Sequence, residues 1–236
     1  MSLVFKKRKD IRVNNRHLYN FYGLIAVESE INTTNAFGIV DEGSQFTIKF
    51  IRKWFGEMTR IVGETWYSTT LENDLNRLFF EKDELMLEVG GLLYYVKAVE
   101  SEITKYRNFE ALDVTFELLS DCCYLRIAIS PIRVIGEKTI DLYNEGIRET
   151  DIDLTVQAIE GGDITITNNG KSITIKELKA NEQVRVYDSN IEGISYDSVS
   201  GDIYSCLRLN TGRNSITVTA TNANVLFRYQ PELGLS

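Results

Sequence analysis

Gly162-Asp163-Ile164-Thr165-Ile166-Thr167-Asn168-Asn169-Gly170-Lys171-Ser172-Ile173-Thr174-Ile175 is the stretch on which the fold turns. Isoleucine and a polar residue alternate on both sides of an Asn-Gly pair. Alternation with period two puts one apolar face on each arm, and Asn-Gly supplies the positive φ angles of a tight hairpin turn. Two antiparallel strands joined at Asn169-Gly170 follow. The same pattern recurs outward from this hairpin. Ile152, Leu154, Val156 and Ala158 alternate with Asp153, Thr155 and Gln157, and Val184 and Val186 mark a short strand. Ile216, Val218 and Ala220 alternate with threonines, and Val225, Phe227 and Tyr229 resume after Asn222-Ala223-Asn224, which reads as a turn. Gly161-Gly162 reads as another turn. Short strands at such spacing predict a β-sandwich, and no helix is expected after residue 131.

The first half is mixed. Phe46, Ile48 and Phe50 form one alternating run, and Leu112, Val114, Phe116 and Leu118 another. Leu85, Leu87 and Val89 lead through Gly90-Gly91 into Leu92–Val99, a second hairpin. Thr69 with Glu72 three residues on makes a capping box, and Leu71, Leu75, Leu78 and Phe79 fall on one stripe, so one helix is expected there. The chain is therefore read as mainly β. Residues 1–130 form a sandwich-like domain with one packed α-helix, and residues 131–236 form a nearly pure β-sandwich. The boundary is placed near Ser130-Pro131.

Composition narrows the function. The 236 residues carry 26 basic and 34 acidic side chains, a formal charge of −8, with 43% apolar residues. That supports a real core and argues against disorder and against a dedicated nucleic-acid binder. The single histidine, His17, rules out His-rich metal sites and leaves one possible base for a Ser-His or Cys-His mechanism. Cys122, Cys123 and Cys206 form no C-x-x-C pair, and their odd number fits a reduced compartment. Met1–Asp10 has no apolar run of the signal-peptide kind, and no stretch is long and apolar enough to span a membrane.

The remaining candidates each have a plain reading. His17 is a turn or surface histidine. Asp151 and Asp153 resemble an acid/base pair or calcium ligands, but alternation already puts them on the solvent side of a strand. Asp197–Asp202 lacks the spacing and terminal glutamate of a calcium loop. Lys6–Lys9, with Arg12 and Arg16, fits a solvated strand edge better than a phosphate contact. Cys122 and Cys123 are packing residues. No phosphate loop or dinucleotide fingerprint occurs, so no catalytic, cofactor or metal site is assigned, and no cofactor is expected.

Order and spacing then carry a resemblance. Asn144-Glu145-Gly146, the Gly162–Ile166 strand, Asn169-Gly170-Lys171-Ser172, an Asn181-Glu182 turn, Tyr187-Asp188-Ser189 and Leu209–Ile216 occur in one sequence. This series resembles the C-terminal domain of the distal tail proteins of long-tailed bacteriophages, with its "NxG" opening, "GDI…NGK" hairpin and "lxxGxN" turn. The capped helix, Tyr94–Val99 and Val114–Phe116 follow the family's order in the first half. Ile147–Thr150 and Cys206–Leu209 depart from it, since many members have proline there. The resemblance implies a virion component made in the bacterial cytoplasm and placed at the tail tip. Six copies would form a ring between the tail tube and the tip or baseplate. The partners would be the major tail protein, the tape-measure protein and the tail-associated tip protein, with DNA only in transit and no membrane insertion. It also implies a galectin-like C-terminal domain.

Both tryptophans, Trp54 and Trp66, lie in the first half, and no histidine follows residue 131. A galectin-type sugar site is therefore not expected, and the second half is read as a spacer or docking platform. The alternative is a carbohydrate- or receptor-binding sandwich. It would require several of Tyr143, Tyr187, Tyr196, Tyr204, Phe227 and Tyr229 to line one groove. A glycan hydrolase would need two facing carboxylates in a cleft.

Overall fold

A computed structural model describes residues 6–32, 43–52, 58–62, 65–69, 73, 76–107, 109–188 and 190–234. The chain divides into two compact units, Met1–Cys123 with Gly234–Ser236, and Tyr124–Leu233. The division lies upstream of Ser130-Pro131, which falls inside one continuous strand, Ala128–Asn144. That strand is at the edge of its sheet, the place within sheets where proline is tolerated.

In the first unit the strands are β1 (Lys6–Arg8), β2 (Arg12–Val13), β3 (Arg16–His17), β4 (Leu24–Asn32), β5 (Gln45–Arg52), β6 (Met58–Val62), β7 (Thr65–Thr69), β8 (Leu85–Val89), β9 (Leu92–Lys105), β10 (Glu110–Leu118) and β11 (Cys122–Tyr124). The main antiparallel path runs β1-β4-β5-β10-β9-β8-β2-β3, while β6 and β7 pair separately. The expected alternation in β5 and β10 holds: Phe46, Ile48, Phe50, Leu112, Val114, Phe116 and Leu118 are all buried. Phe46 and Phe116 stack at 5.5 Å, and Phe79 meets Phe116 edge-on at 5.6 Å. The β8/β9 hairpin turns on Gly90 and Gly91, with φ of 61° and 85°. Of the expected helix, Leu71, Glu72 and Leu75 lie outside the described residues, and Thr69 ends β7. Its distal part is a π-helical turn, Asn76–Phe80, whose Leu78 and Phe79 are buried.

One ion pair stands inside this sheet. Arg52 and Glu110 face each other across β5 and β10. The arginine Nε and Nη2 both donate to Glu110 Oε2, at 3.1 and 2.7 Å, with the side chains only 1% and 7% exposed. The Arg52 stem also lies against Gly23, which ends helix α1 (Leu18–Tyr22) with φ of 67°.

The second unit contains β12 (Ala128–Asn144), β13 (Thr150–Asp151), β14 (Asp153–Asn168), β15 (Lys171–Leu178), β16 (Gln183–Tyr187), β17 (Asn190–Glu192), β18 (Val199–Gly201), β19 (Arg208–Leu209), β20 (Gly212–Tyr229) and the closing strand β21 (Glu232–Gly234). The Asn-Gly hairpin is present: β14 pairs with β15, and Asn169 and Gly170 take φ of 51° and 73°. Elsewhere the short strands merge into long ones. Asn222–Asn224 and Gly161-Gly162 do not reverse the chain. They are irregularities inside β20 and β14, which pair with each other along their length. Ala158 faces Ala223 and Ile164 faces Ala220 across this region. On β20 the buried positions switch from 216, 218 and 220 to 223, 225, 227 and 229. An extra residue resets the period-two parity, so both halves of a bent strand keep their apolar side inward. Asn222 stitches the bend: its Nδ2 donates to Glu160 Oε1 at 2.9 Å, and Arg133 Nε donates to its Oδ1 at 3.4 Å.

The first half of β14 pairs with β16 and the second with β15, so one strand serves two layers of a curled antiparallel sheet. The core holds Leu154, Val156, Ile166, Ile173, Ile175, Val184, Val186, Val218, Val225 and Phe227. At one end of the long ladder Ala128 pairs with Tyr229. Contrary to the expectation of no helix after residue 131, a single turn α2 (Ile203–Cys206) is capped by Asp202, whose carboxylate accepts from Ser205 N at 3.0 Å.

Glu110→Gln is expected to lower the free energy of unfolding by roughly 3–5 kcal/mol, because it leaves the buried Arg52 charge without its counter-ion. The double change Arg52→Met with Glu110→Leu should recover most of that loss. Urea titration of both variants is the check, and a Glu110→Gln protein as stable as the parent would contradict the role given to this pair.

Candidate functional site

Three buried asparagines near one end of the second unit organise a dense cluster of polar contacts. Asn144, Asn168 and Asn214 are each at most 1% exposed. Asn168 Nδ2 donates to the carbonyls of Cys206 and Arg208, at 2.9 and 2.8 Å. Asn144 Nδ2 reaches Leu209 O at 3.4 Å and Arg148 O at 2.7 Å, while its Oδ1 accepts from Gly146 N at 3.0 Å. Asn214 exchanges hydrogen bonds with both backbone groups of Asn210, at 2.8 and 2.9 Å. The segment 206–210 is thus held from three strands. The "NxG" glycine has its own cause: a Cβ on Gly146 would sit 2.5 Å from Glu232 O.

The fixed segment presents Arg208. Its Nε donates to Asp151 Oδ1 at 3.0 Å, Nη1 reaches Glu149 Oε2 at 3.4 Å, and Nη2 donates to the Tyr204 hydroxyl. The guanidinium lies 4.0 Å from the centre of the Tyr204 ring. A second array stands beside it. Arg185 Nε and Nη2 grip both oxygens of Asp153, at 2.9 and 2.7 Å, and its guanidinium lies 4.3 Å from the Tyr187 ring centre. Tyr187 donates to Glu192 Oε1 at 2.6 Å, which pushes its phenol pKa up. Arg228 Nη1 lies 3.8 Å from Asp153 Oδ2. The bond to Asp153 raises the Arg185 pKa, and the bond to Asp151 does the same for Arg208.

Of these residues Asp151, Asp153, Arg185, Tyr187, Tyr204 and Arg228 line two adjoining depressions, the lobes of a groove. One, of about 250 Å³, is bounded by Ile127, Asp153, Arg185, Tyr187, Arg228 and Tyr229. The other, of about 230 Å³, is bounded by Ile203, Tyr204 and Leu207. Asp151, Ile152 and Asp188 line both. Tyr187 and the buried Tyr229 border the first lobe, and Tyr204 borders the second. Asp188 sits in the β16/β17 hairpin with φ of 43°. It is exposed and has no hydrogen bond or ion pair through its carboxylate among the described residues.

The other candidates take structural places. His17 caps α1, its Nδ1 accepting from Asn20 N at 3.4 Å. Asp151 and Asp153 are engaged by the guanidiniums of Arg208 and Arg185. Asp197 begins a short 3₁₀ turn, and Asp202 is the cap of α2. β1, carrying Lys6–Arg8, is the end strand of its sheet, as expected. All three cysteines are free and buried. Cys206 Sγ donates to Ile166 O at 3.3 Å, and burial pushes its thiol pKa up to about 11. No group of three or more potential metal ligands occurs among the described residues, and no helix among them is long and apolar enough to cross a membrane.

Comparison with known proteins adds one observation about the fold. No family model matches the chain, and no curated protein sequence matches it. The crystal structure of the Dit protein of phage SPP1 is described as a paradigm of the hub adsorption apparatus in phages infecting Gram-positive hosts. It superimposes over 94% of this chain and 98% of its own, with a TM-score of 0.56 at 10% identity. The two chains share a fold. A conserved Pseudomonas aeruginosa protein covers the same shares, 94% and 98%, at 10% identity, but its TM-score of 0.25 carries no argument. The shared Dit-like fold agrees with the mainly-β reading of the sequence.

Two measurements test the cluster. Asn168→Ala should cost about 1–3 kcal/mol in urea unfolding, since two buried carbonyls lose their donor; an unchanged midpoint would refute the clamp. The raised Cys206 pKa gives a sign for pH. An unfolded thiol ionises near 9, whereas the folded one holds its proton to about 11. Its contribution to stability is complete below that window and declines as pH rises through it. The alkaline fall in stability should be shallower in Cys206→Ala than in the parent.

Proposed function

We propose that this protein is a structural component of a phage tail or tail-like particle, acting as the distal hub between tube and tip. The observation that carries the reading is the shared fold with a phage hub protein across nearly the whole of both chains. The ordered C-terminal motifs support it independently. Two of them, Asn144-Glu145-Gly146 and the Leu209–Ile216 turn, contain asparagines that fasten the 206–210 segment. A structural part needs no catalytic centre, and each acidic candidate in the second unit has a structural partner or role, except Asp188.

In this reading six copies close into a ring through one repeated heterologous interface, since such a contact makes a closed cycle when its rotation divides the circle. The first unit builds the ring and the second, a galectin-like sandwich, projects from it. Tube, tape-measure and tip proteins are the neighbours. The charge of −8 suits a duct that DNA traverses without adhering.

Native mass spectrometry and negative-stain microscopy of the purified chain are expected to show a six-fold ring, single or stacked. A chain that stays monomeric at high protein concentration would overturn the hub assignment.

A further inference from the structure

We propose that the two-lobed groove of the second unit is a binding site for a neutral saccharide. Tyr187 and Tyr204 would serve as its apolar platforms, the Asp188 carboxylate as hydroxyl acceptor and Arg228 as hydroxyl donor. This departs from the expectation of a spacer without sugar affinity, which rested on the absence of tryptophan and histidine. The groove uses neither. The inference is independent of the hub assignment, because it rests on residues 149–230 of one chain.

Charge selects the ligand class. Arg185 is matched by Asp153, and Arg208 by Asp151 and Glu149. A phosphate or sulfate would have to compete with those carboxylates and would approach Asp188, whose carboxylate has no partner among the described residues. A cation would meet the Arg185 and Arg228 guanidiniums and would have to compete with them for Asp153. A polyol meets neither repulsion. Each of its hydroxyls both donates and accepts, which fits walls where fixed donors and acceptors alternate. Arg228 adds a guanidinium whose one ion pair, at 3.8 Å, is too long for a hydrogen bond.

Rigidity and shape agree with this class. The bidentate Arg185–Asp153 pair and the guanidiniums against both tyrosine rings fix the walls before a ligand arrives, which lowers the entropic cost of binding. Tyr204 remains 56% exposed, so much of its surface is open to contact. The lobes measure about 250 and 230 Å³. Each is smaller than a typical small-molecule site of roughly 300–1,000 Å³, and shared lining residues place the two side by side. Asp188 borders both, so a ligand occupying the two lobes would place adjoining sugar rings on either side of it.

The test is a titration of the full chain with maltotriose, cellotriose and chitotriose, followed by calorimetry and saturation-transfer NMR. Glucose 6-phosphate and choline are the charged controls. At least one neutral trisaccharide should bind with a Kd of about 1 mM or tighter. Asp188→Asn, which keeps a residue suited to positive φ, and Tyr204→Ala should each weaken it about tenfold or more. Unchanged urea midpoints would show that both variants remain folded. The proposal is overturned if no neutral trisaccharide binds, if only a charged control binds, or if both folded variants bind like the parent. The oligomeric state, which tests the hub assignment, is unaffected by any of these results.

Discussion

Three buried side-chain amides hold the second unit together where its strands alone do not. Asn144, Asn168 and Asn214 come from β12, β14 and β20, and each makes at least one hydrogen bond to the backbone between Cys206 and Asn210. That segment has only a two-residue ladder of its own, Thr150 with Leu209 and Asp151 with Arg208. Without the amides, the carbonyls of Cys206 and Arg208 would lose their buried donors, a desolvation penalty larger than the net worth of an ordinary hydrogen bond. With them, Arg208 stands where it can meet Asp151, Glu149 and Tyr204. The polar groove therefore depends on contacts made by residues that do not line it.

The first unit solves a similar problem with charge. Arg52 and Glu110 occupy cross-strand positions that the alternation of β5 and β10 turns inward, where an apolar pair would ordinarily sit. Such a pair adds little net stability over well-packed hydrophobes, but the loss of either member is costly. It also discriminates register: a slip of one strand by one residue would carry its charge to the opposite face and leave the other buried without its counter-ion.

Much of this was legible in the sequence where one local rule acted alone. Asn169-Gly170, Gly90-Gly91 and the alternation of β5 and β10 each specify their geometry within a few residues. The misread positions are those where a bend imitates a turn. Asn222-Ala223-Asn224 and Gly161-Gly162 have turn composition, but the pairing of β14 with β20 continues across them, and only the neighbouring strand decides that. β4 was not anticipated because Leu24–Asn32 mixes charged and apolar residues without clean alternation. The groove went unseen because its members are ordinary surface residues taken singly. A signal was nonetheless present: Arg185 two residues before Tyr187, Tyr204 four residues before Arg208, and Arg228 next to Tyr229 repeat one pairing. The acidic partners could not be assigned to those arginines without strand register.

The pairing of Ala128 with Tyr229 has a mechanical consequence. Chain entry and exit of the long ladder are neighbours in one antiparallel ladder, whose hydrogen bonds run perpendicular to the strands. Tension applied between these two residues would load the bonds one after another rather than all together. The unit would open like a zipper from Ala128 and Tyr229 inward, while a pull along the strand axes would meet the whole ladder at once.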